Sequence, residues 1–182
     1  MSVELEKVCK KNLNRAILLQ NSIFPKENGT RDITNSVTND IVSYFSLHKH
    51  WIVKVDGNDV GITGLYAYRD YPQDVWMAWF GIIKTEREKG YASIAFKKML
   101  GKARKLGFKT LRLYTDDIEN NVAVNFYNKM GMTSEIYNNS NDIHREIGNT
   151  LIFSISLDNN PIAKWNNQYL YLSDHDKLNN IK

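Results

Sequence analysis

The stretch from Asp74 to Gly131 constrains this chain more than any other, because a strand, a glycine-punctuated turn and an amphipathic helix follow one another there almost without a gap. Val75 to Ile83 is an apolar run rich in aromatic and β-branched residues, too short for a typical helix, and reads as a buried strand. Lys84 to Gly90 is charged, and beyond it apolar residues recur at Ala92, Ala95, Phe96, Met99, Leu100, Ala103 and Leu106, one face of a helix. Gly107 stops that helix. Lys109 to Thr115 reads as a second strand, and Asp116 to Asn120 leads into another helix through Met130, on which Ala123, Tyr127 and Met130 share a face with Val122 and Phe126 beside them. Gly131 closes it.

A strand feeding a helix through Arg87-x-x-Gly90-x-Ala92 has a physical use. The first N–H groups of a helix have no internal partner and carry the positive end of its dipole, so they can bind a phosphate. Gly90 and the small Ala92 let the backbone come close, and Arg87 and Lys89 add charge. Taken alone, the same residues also fit a plain strand-to-helix connection with solvated charges.

With the downstream residues, the chain resembles the Gcn5-related N-acetyltransferase (GNAT) family. One signature is Arg87-x-x-Gly90-x-Ala92 between a central strand and a helix; the other is Asn120-x-x-Ala123-x-x-x-Tyr127-x-x-x-Gly131-Met132. The resemblance is direct over roughly residues 50 to 135, and two motifs in the right order are far more specific than either alone. Ala92 stands where Gly is commoner, and Met132 where Phe is usual.

The resemblance implies an α/β fold: a mixed, mostly antiparallel twisted sheet, about four flanking helices, and a central strand splayed at the acyl-CoA site. It implies acetyl-CoA as cofactor, held by Ile82, Ile83, Arg87, Glu88, Lys89, Gly90, Tyr91, Ala92, Ser93, Asn120 and Tyr127. The implied reaction is direct acetyl transfer to a primary amine of a small molecule, with acetylation of a protein N-terminus or lysine, or non-catalytic acyl-CoA binding, as alternatives. Tyr127 would act as general acid, and Asn120 would hydrogen-bond the cofactor or cap its helix. A free N–H near Gly81 to Ile83 could stabilise charge on the acyl oxygen. Phe24, Glu27 and Tyr44 would line the acceptor wall, and Trp76, Trp79 and Phe80 would give it flat apolar surfaces, although core packing is an equally natural role for aromatic residues. The central strand carries no carboxylate, so Asp74, Glu27, Asp116 or water is left as the base.

Composition narrows the remaining classes. At 182 residues the chain fits one domain, 1–182, long enough to bury a core. The basic residues behind the net charge of +4 are scattered along helices instead of gathered in a block, so a solvated surface is the better reading and no nucleic-acid partner is expected. The single cysteine, Cys9, permits no internal disulfide, no apolar stretch reaches the roughly 20 residues of a membrane span, and a cytoplasmic location without membrane contact is expected, with a homodimer left open.

Elsewhere, Val3 to Val8 alternates as an edge strand, and Leu13 to Phe24 reads as a helix stopped by Pro25. Thr34 or Ser36 would cap a second helix with Val37, Ile41, Tyr44 and Phe45 inward. Trp51–Val55 and Val60–Tyr68 read as a hairpin through Asp56-Gly57-Asn58-Asp59. On the central strand, alternation puts Trp76, Ala78 and Phe80 on one side and Met77 and Trp79 on the other, with Gly81 marking either a bulge or close helix packing. The four histidines show no metal spacing and are expected at the surface, and no metal site is expected. Thr133–Tyr137 and Leu151–Leu157 read as strands, and within 158–182 Gln168–Leu172 reads as an appended edge strand or a tail.

Overall fold

A hairpin organises the first half of the sheet. Asp56 (φ 48°) and Gly57 (φ 86°) are both left-handed, as a tight two-residue hairpin turn requires, and they join β2 (Phe45–Val55) to β3 (Asn58–Tyr68). The computed structural model describes residues 2–27, 29–38, 43–118, 121–142, 148–172 and 174. Around the hairpin lie β1 (Val3–Lys7), α1 (Leu13–Ile23), α2 (Thr30–Thr38), β4 (Asp74–Ile82), a 3-10 turn (Lys84–Glu86), α3 (Tyr91–Lys105), β5 (Thr110–Asp116), α4 (Asn121–Lys129), β6 (Thr133–Tyr137) and β7 (Thr150–Ser156). Among the described residues the strands form one sheet in the order β1-β2-β3-β4-β5-β7-β6, antiparallel throughout except where β4 meets β5. No described helix is long and apolar enough to cross a membrane.

The period-2 alternation of the strands sends successive residues to opposite faces, and each face is covered differently. Phe96, Met99 and Ala103 of α3 and Tyr127 of α4 pack with Trp51, Leu65, Met77, Leu111 and Phe153. On the other face Ala16 and Ile23 of α1 and Ile33 of α2 close over Ile52 and Ile62. Beside them the C-terminal segment lays Trp165, Leu170 and Leu172, all fully buried, on Trp76, Tyr66 and Tyr68.

Three expectations are corrected here. Strand β2 starts at Phe45, not Trp51, because Phe45 to His50 pairs with Gly64 to Tyr68; Phe45 is therefore buried in the sheet and not on a helix face. Helix α2 is the shorter Thr30–Thr38, and the hydroxyls of Thr34 and Ser36 donate back to the carbonyls of Thr30 and Ile33 instead of capping; Ile41 lies outside the described residues. Gln168–Leu172 forms no strand. Left-handed Asn166, Asn167 and Tyr171 (φ 54°, 55° and 57°) break the extended run, and the segment is tied down by Tyr68 Oη donating to Leu170 O (2.6 Å) and Leu170 N–H donating to Asp142 Oδ2 (3.0 Å).

Candidate active site

Strands β4 and β5 pair only from Asp74 opposite Thr110 to Trp76 opposite Arg112. Beyond that point β4 continues against β3 to Ile82 while β5 continues against β7 to Asp116, so a wedge opens between the two central strands. On the β4 side the backbone groups are sorted by alternation. The Ile83 N–H donates to Val60 O (2.9 Å), which turns the neighbouring Ile82 N–H and C=O away from β3 and towards the wedge. Of the Gly81–Ile83 amides predicted to be free, that of Ile83 is thus engaged. Arg87, predicted as a phosphate-facing charge, donates its Nε–H to Ile82 O (2.9 Å), leaving the Ile82 N–H facing the wedge.

The strand carries one extra residue against β3: Ile62 and Gly64 face Gly81 and Ala78, and the bulge falls at Trp79, whose φ is 46°. Its consequence is a change of face. Phe80 does not join Trp76 but lies on the α3/α4 side against Phe96 and Phe126, with ring centroids 6.1 and 5.7 Å away. Gly81 is not the bulge; it is where α1 crosses, and a Cβ there would fall 2.5 Å from Ile23 Cγ2 and 2.8 Å from the Phe24 ring.

At the end of β4 the chain makes the 3-10 turn, passes through left-handed Glu88 (φ 64°) and Gly90 (φ 82°), and enters α3. No side chain caps this helix, and a Cβ on Gly90 would meet nothing within 4 Å, so the amides of Tyr91, Ala92 and Ser93 begin a helix with open space at Gly90. Lys89 is ion-paired to Glu86 (3.0 Å) on the surface. On the face of the sheet covered by α3 and α4, Tyr127 is 7% exposed, with Phe126, Phe153 and Phe96 rings 5.4, 5.5 and 6.4 Å away. Among the described residues its hydroxyl has no hydrogen-bond partner, and burial pushes its pKa above the usual tyrosine range. Asn120 lies outside the described residues.

A protein-family model described as the acetyltransferase (GNAT) family matches residues 17–132. The chain belongs to this family. Solved structures share its fold at low identity. A protein from Desulfovibrio desulfuricans assigned to the GNAT family is 12% identical with a TM-score of 0.71, covering 86% of this chain and 99% of that one. The ribosomal-protein-S18-alanine N-acetyltransferase of Escherichia coli is 12% identical (TM-score 0.65; 93% and 100% covered), and a spermidine/spermine N-acetyltransferase of Vibrio cholerae, in complex with manganese ions, is 16% identical (TM-score 0.62; 85% and 92% covered). No protein of curated function matches by sequence.

In this GNAT chain the predicted acceptor residues divide. Phe24 meets Trp79 edge to face (5.4 Å), while Glu27 is exposed in the turn after α1, its N–H on Phe24 O (3.1 Å). Tyr44 is stacked on Tyr171 (4.4 Å), and burial raises its pKa. Trp76 is corrected to a core residue: it is fully buried, with Trp165 edge-on at 5.0 Å. Of the candidate bases, Asp74 is ion-paired with Arg112 Nε (3.3 Å) at the closed end of the wedge, whereas Asp116 is buried at the end of β5, where the wedge is open. A groove of about 360 Å³ lies where the end of β1, α2 and the first half of β2 meet, lined by Lys7, Cys9, Ser36, Leu47, His48 and Lys49.

The histidine expectation is overturned for two of the four. His48 and His50 are 4% and 1% exposed, since β2 already runs through them and its alternation turns both, with Ile52, towards α1 and α2. Asp32 of α2 reaches down to them: Oδ1 lies 2.8 Å from His48 Nε2, Oδ2 lies 3.4 Å from His50 Nε2, and Trp79 Nε1–H donates to Oδ2 (2.6 Å). Continuing the Trp51–Val55 alternation backwards to Phe45 would have found the pair. The neighbouring imidazoles hold the Asp32 carboxyl well below the usual carboxylate range, and burial lowers the pKa of His50. His144 and His175 lie outside the described residues.

Proposed function

We propose that the protein transfers an acetyl group from acetyl-CoA to a primary amine of a small molecule by direct attack. The observation that carries this reading is the wedge that opens between β4 and β5 beyond Trp76, where the end of β4 leads into the uncapped start of α3. The structure fits the cofactor in two respects: the backbone from Gly90 to Ser93 offers N–H groups to a pyrophosphate in open space, and the wedge leaves strand amides for an extended chain. Bound there, acetyl-CoA would supply an activated acyl group on a good leaving thiol.

The protein's own residues would do the following. Gly90, Tyr91, Ala92 and Ser93 would hold the phosphates through backbone N–H groups; Arg87 would brace the end of β4 through Ile82 O and so fix the direction of the Ile82 N–H. That N–H would stabilise negative charge developing on an acyl oxygen, an effect worth about 100-fold or more for a single donor. Tyr127, protonated at neutral pH, would donate to a sulfur gaining charge. An alkyl amine has a pKa of about 10 and must lose a proton before it attacks. Asp74 is engaged by Arg112, and Glu27, Asp116 or water would be the other candidates to accept that proton. The aromatic corner of Trp79 and Phe24, narrow and flat, suits a compact acceptor better than a folded protein surface.

The test is free-thiol release from acetyl-CoA over a panel of small amines and short peptides. Turnover on small amines is expected; turnover confined to peptides would overturn the acceptor class, and none on either would overturn the transfer reading.

A further inference from the structure

The Asp32–His48–His50–Trp79 cluster is a built site that the acetyl-transfer reading does not use. The Asp32 side chain is 26% exposed while those of the two histidines beneath it are at 1% and 0%, so Asp32 is more accessible than either histidine. Among the described residues no lysine or arginine is paired with it. Among the described residues it is compensated by N–H donation from Trp79 at 2.6 Å and His48 at 2.8 Å, while His50 Nε2, 3.4 Å away, makes no hydrogen bond. The Trp79 indole, backed edge-on by Phe24, forms a wall beside it. That indole is aimed by the bulge, and a bulky residue at φ 46° is a costly conformation that persists only where surrounding contacts enforce it.

Two other roles are disfavoured by the same atoms. A metal-ligating imidazole carries its proton on the other ring nitrogen and gives it to an acceptor. Here Nδ1 of both His48 and His50 is buried without any hydrogen-bond partner, so both are best accommodated as bare lone pairs with the Nε2–H groups turned to Asp32. A general base works best with a pKa near the working pH. Asp32 is held far more acidic than that, which makes it a standing negative charge and a poor proton acceptor.

Resting on the acetyl-transfer reading, we propose that Asp32 anchors a positively charged group of the acceptor other than the amine that reacts, with Trp79 and Phe24 flanking the cation. The acceptor is then a small molecule with at least two amino groups. Trp79 precedes Ile82 by three residues of β4, which even fully extended would span at most ~10 Å, so an acceptor of a few carbons can span from this anchor to the wedge. The aromatic faces add attraction for an ammonium group that a neutral chain end would lack.

The experiment compares butane-1,4-diamine and octane-1,8-diamine with butylamine and octylamine as acceptors for wild type, Asp32→Asn and Trp79→Phe. Wild type is expected to favour each diamine, and Asp32→Asn to raise the diamine KM about 10-fold while kcat and the monoamine KM stay within about 3-fold, the pattern of lost ground-state binding. Acetyl-CoA affinity by calorimetry, unchanged, shows that the variant is folded. Trp79→Phe keeps the wall and removes the N–H, and is expected to raise the diamine KM less. Equal KM for diamine and monoamine in wild type overturns the proposal even if Asp32→Asn does not fold. So does a kcat loss shared by all acceptors, or stoichiometric zinc binding by wild type that Asp32→Asn loses. Where no amine is turned over, the transfer reading fails separately, and calorimetric binding of butane-1,4-diamine to wild type but not to Asp32→Asn still decides the anchor.

Discussion

Tyr127→Phe separates chemistry from packing, because it deletes one hydroxyl and keeps the ring among Phe96, Phe126 and Phe153. The hydroxyl has no partner among the described residues, so its removal orphans none of their groups and stability should change by no more than about 1 kcal/mol. For a chain of this size that is a Tm shift within about 4 °C. The effect on rate follows from the raised pKa. Burial holds this phenol above the ordinary tyrosine value of 10.0, whereas a thiol titrates near 8.5, so complete proton transfer from Tyr127 to a thiolate runs uphill. Its contribution is then a hydrogen bond that strengthens as charge builds on sulfur, which places it at the low end of general-acid effects, about 100-fold or ~2.7 kcal/mol. Single-turnover acetyl transfer followed as thiol release should fall by about that factor, with the acetyl-CoA dissociation constant nearly unchanged. A rate within 3-fold of wild type in a normally stable variant would refute the reasoning and leave Tyr127 a packed core residue.

Gly90→Val places a β-branched residue at φ +82° and a side chain in the open space at the start of α3, so calorimetry should show loss of CoA binding by a variant that circular dichroism finds folded. Trp165→Ala empties a fully buried site edge-on to Trp76 and Tyr71, costing about 3–5 kcal/mol and lowering Tm by roughly 6–20 °C; an unchanged Tm would mean that the C-terminal segment does not hold the core. Stability should fall on acidification in two stages. Burial keeps His50 below its ordinary 6.5, so the unfolded chain binds more protons beneath that value and stability drops as pH falls below about 6.5; Asp32, held below its ordinary 3.8, adds a further loss as pH falls below that value. Denaturant titrations between pH 7 and 5 should show a shallower decline for His50→Gln, and an identical slope would argue against His50 as the group responsible.

The GNAT signatures were legible because they are local: Arg87, Gly90 and Ala92 lie within one turn, and Ala123, Tyr127 and Gly131 follow one helix, so spacing along the chain is spacing in space. The order of the central strands and helices and the hairpin at Asp56–Gly57 were readable for the same reason. What the tertiary structure decided was how distant segments register. The bulge at Trp79 exists only as a mismatch with β3, and it alone moved Phe80 across the sheet and aimed the indole at Asp32. His48 and His50 carry polar side chains that interrupt the apolar pattern of β2, so their burial depends on α2 arriving overhead with a carboxylate to receive them. Trp165 and Leu170 are core residues only because three left-handed residues bend the C-terminal segment back over Trp76 and Tyr68. Local sequence sets backbone preferences within a few residues; which buried polar groups find partners is settled by contacts between segments far apart in the chain, and those contacts built the Asp32 cluster.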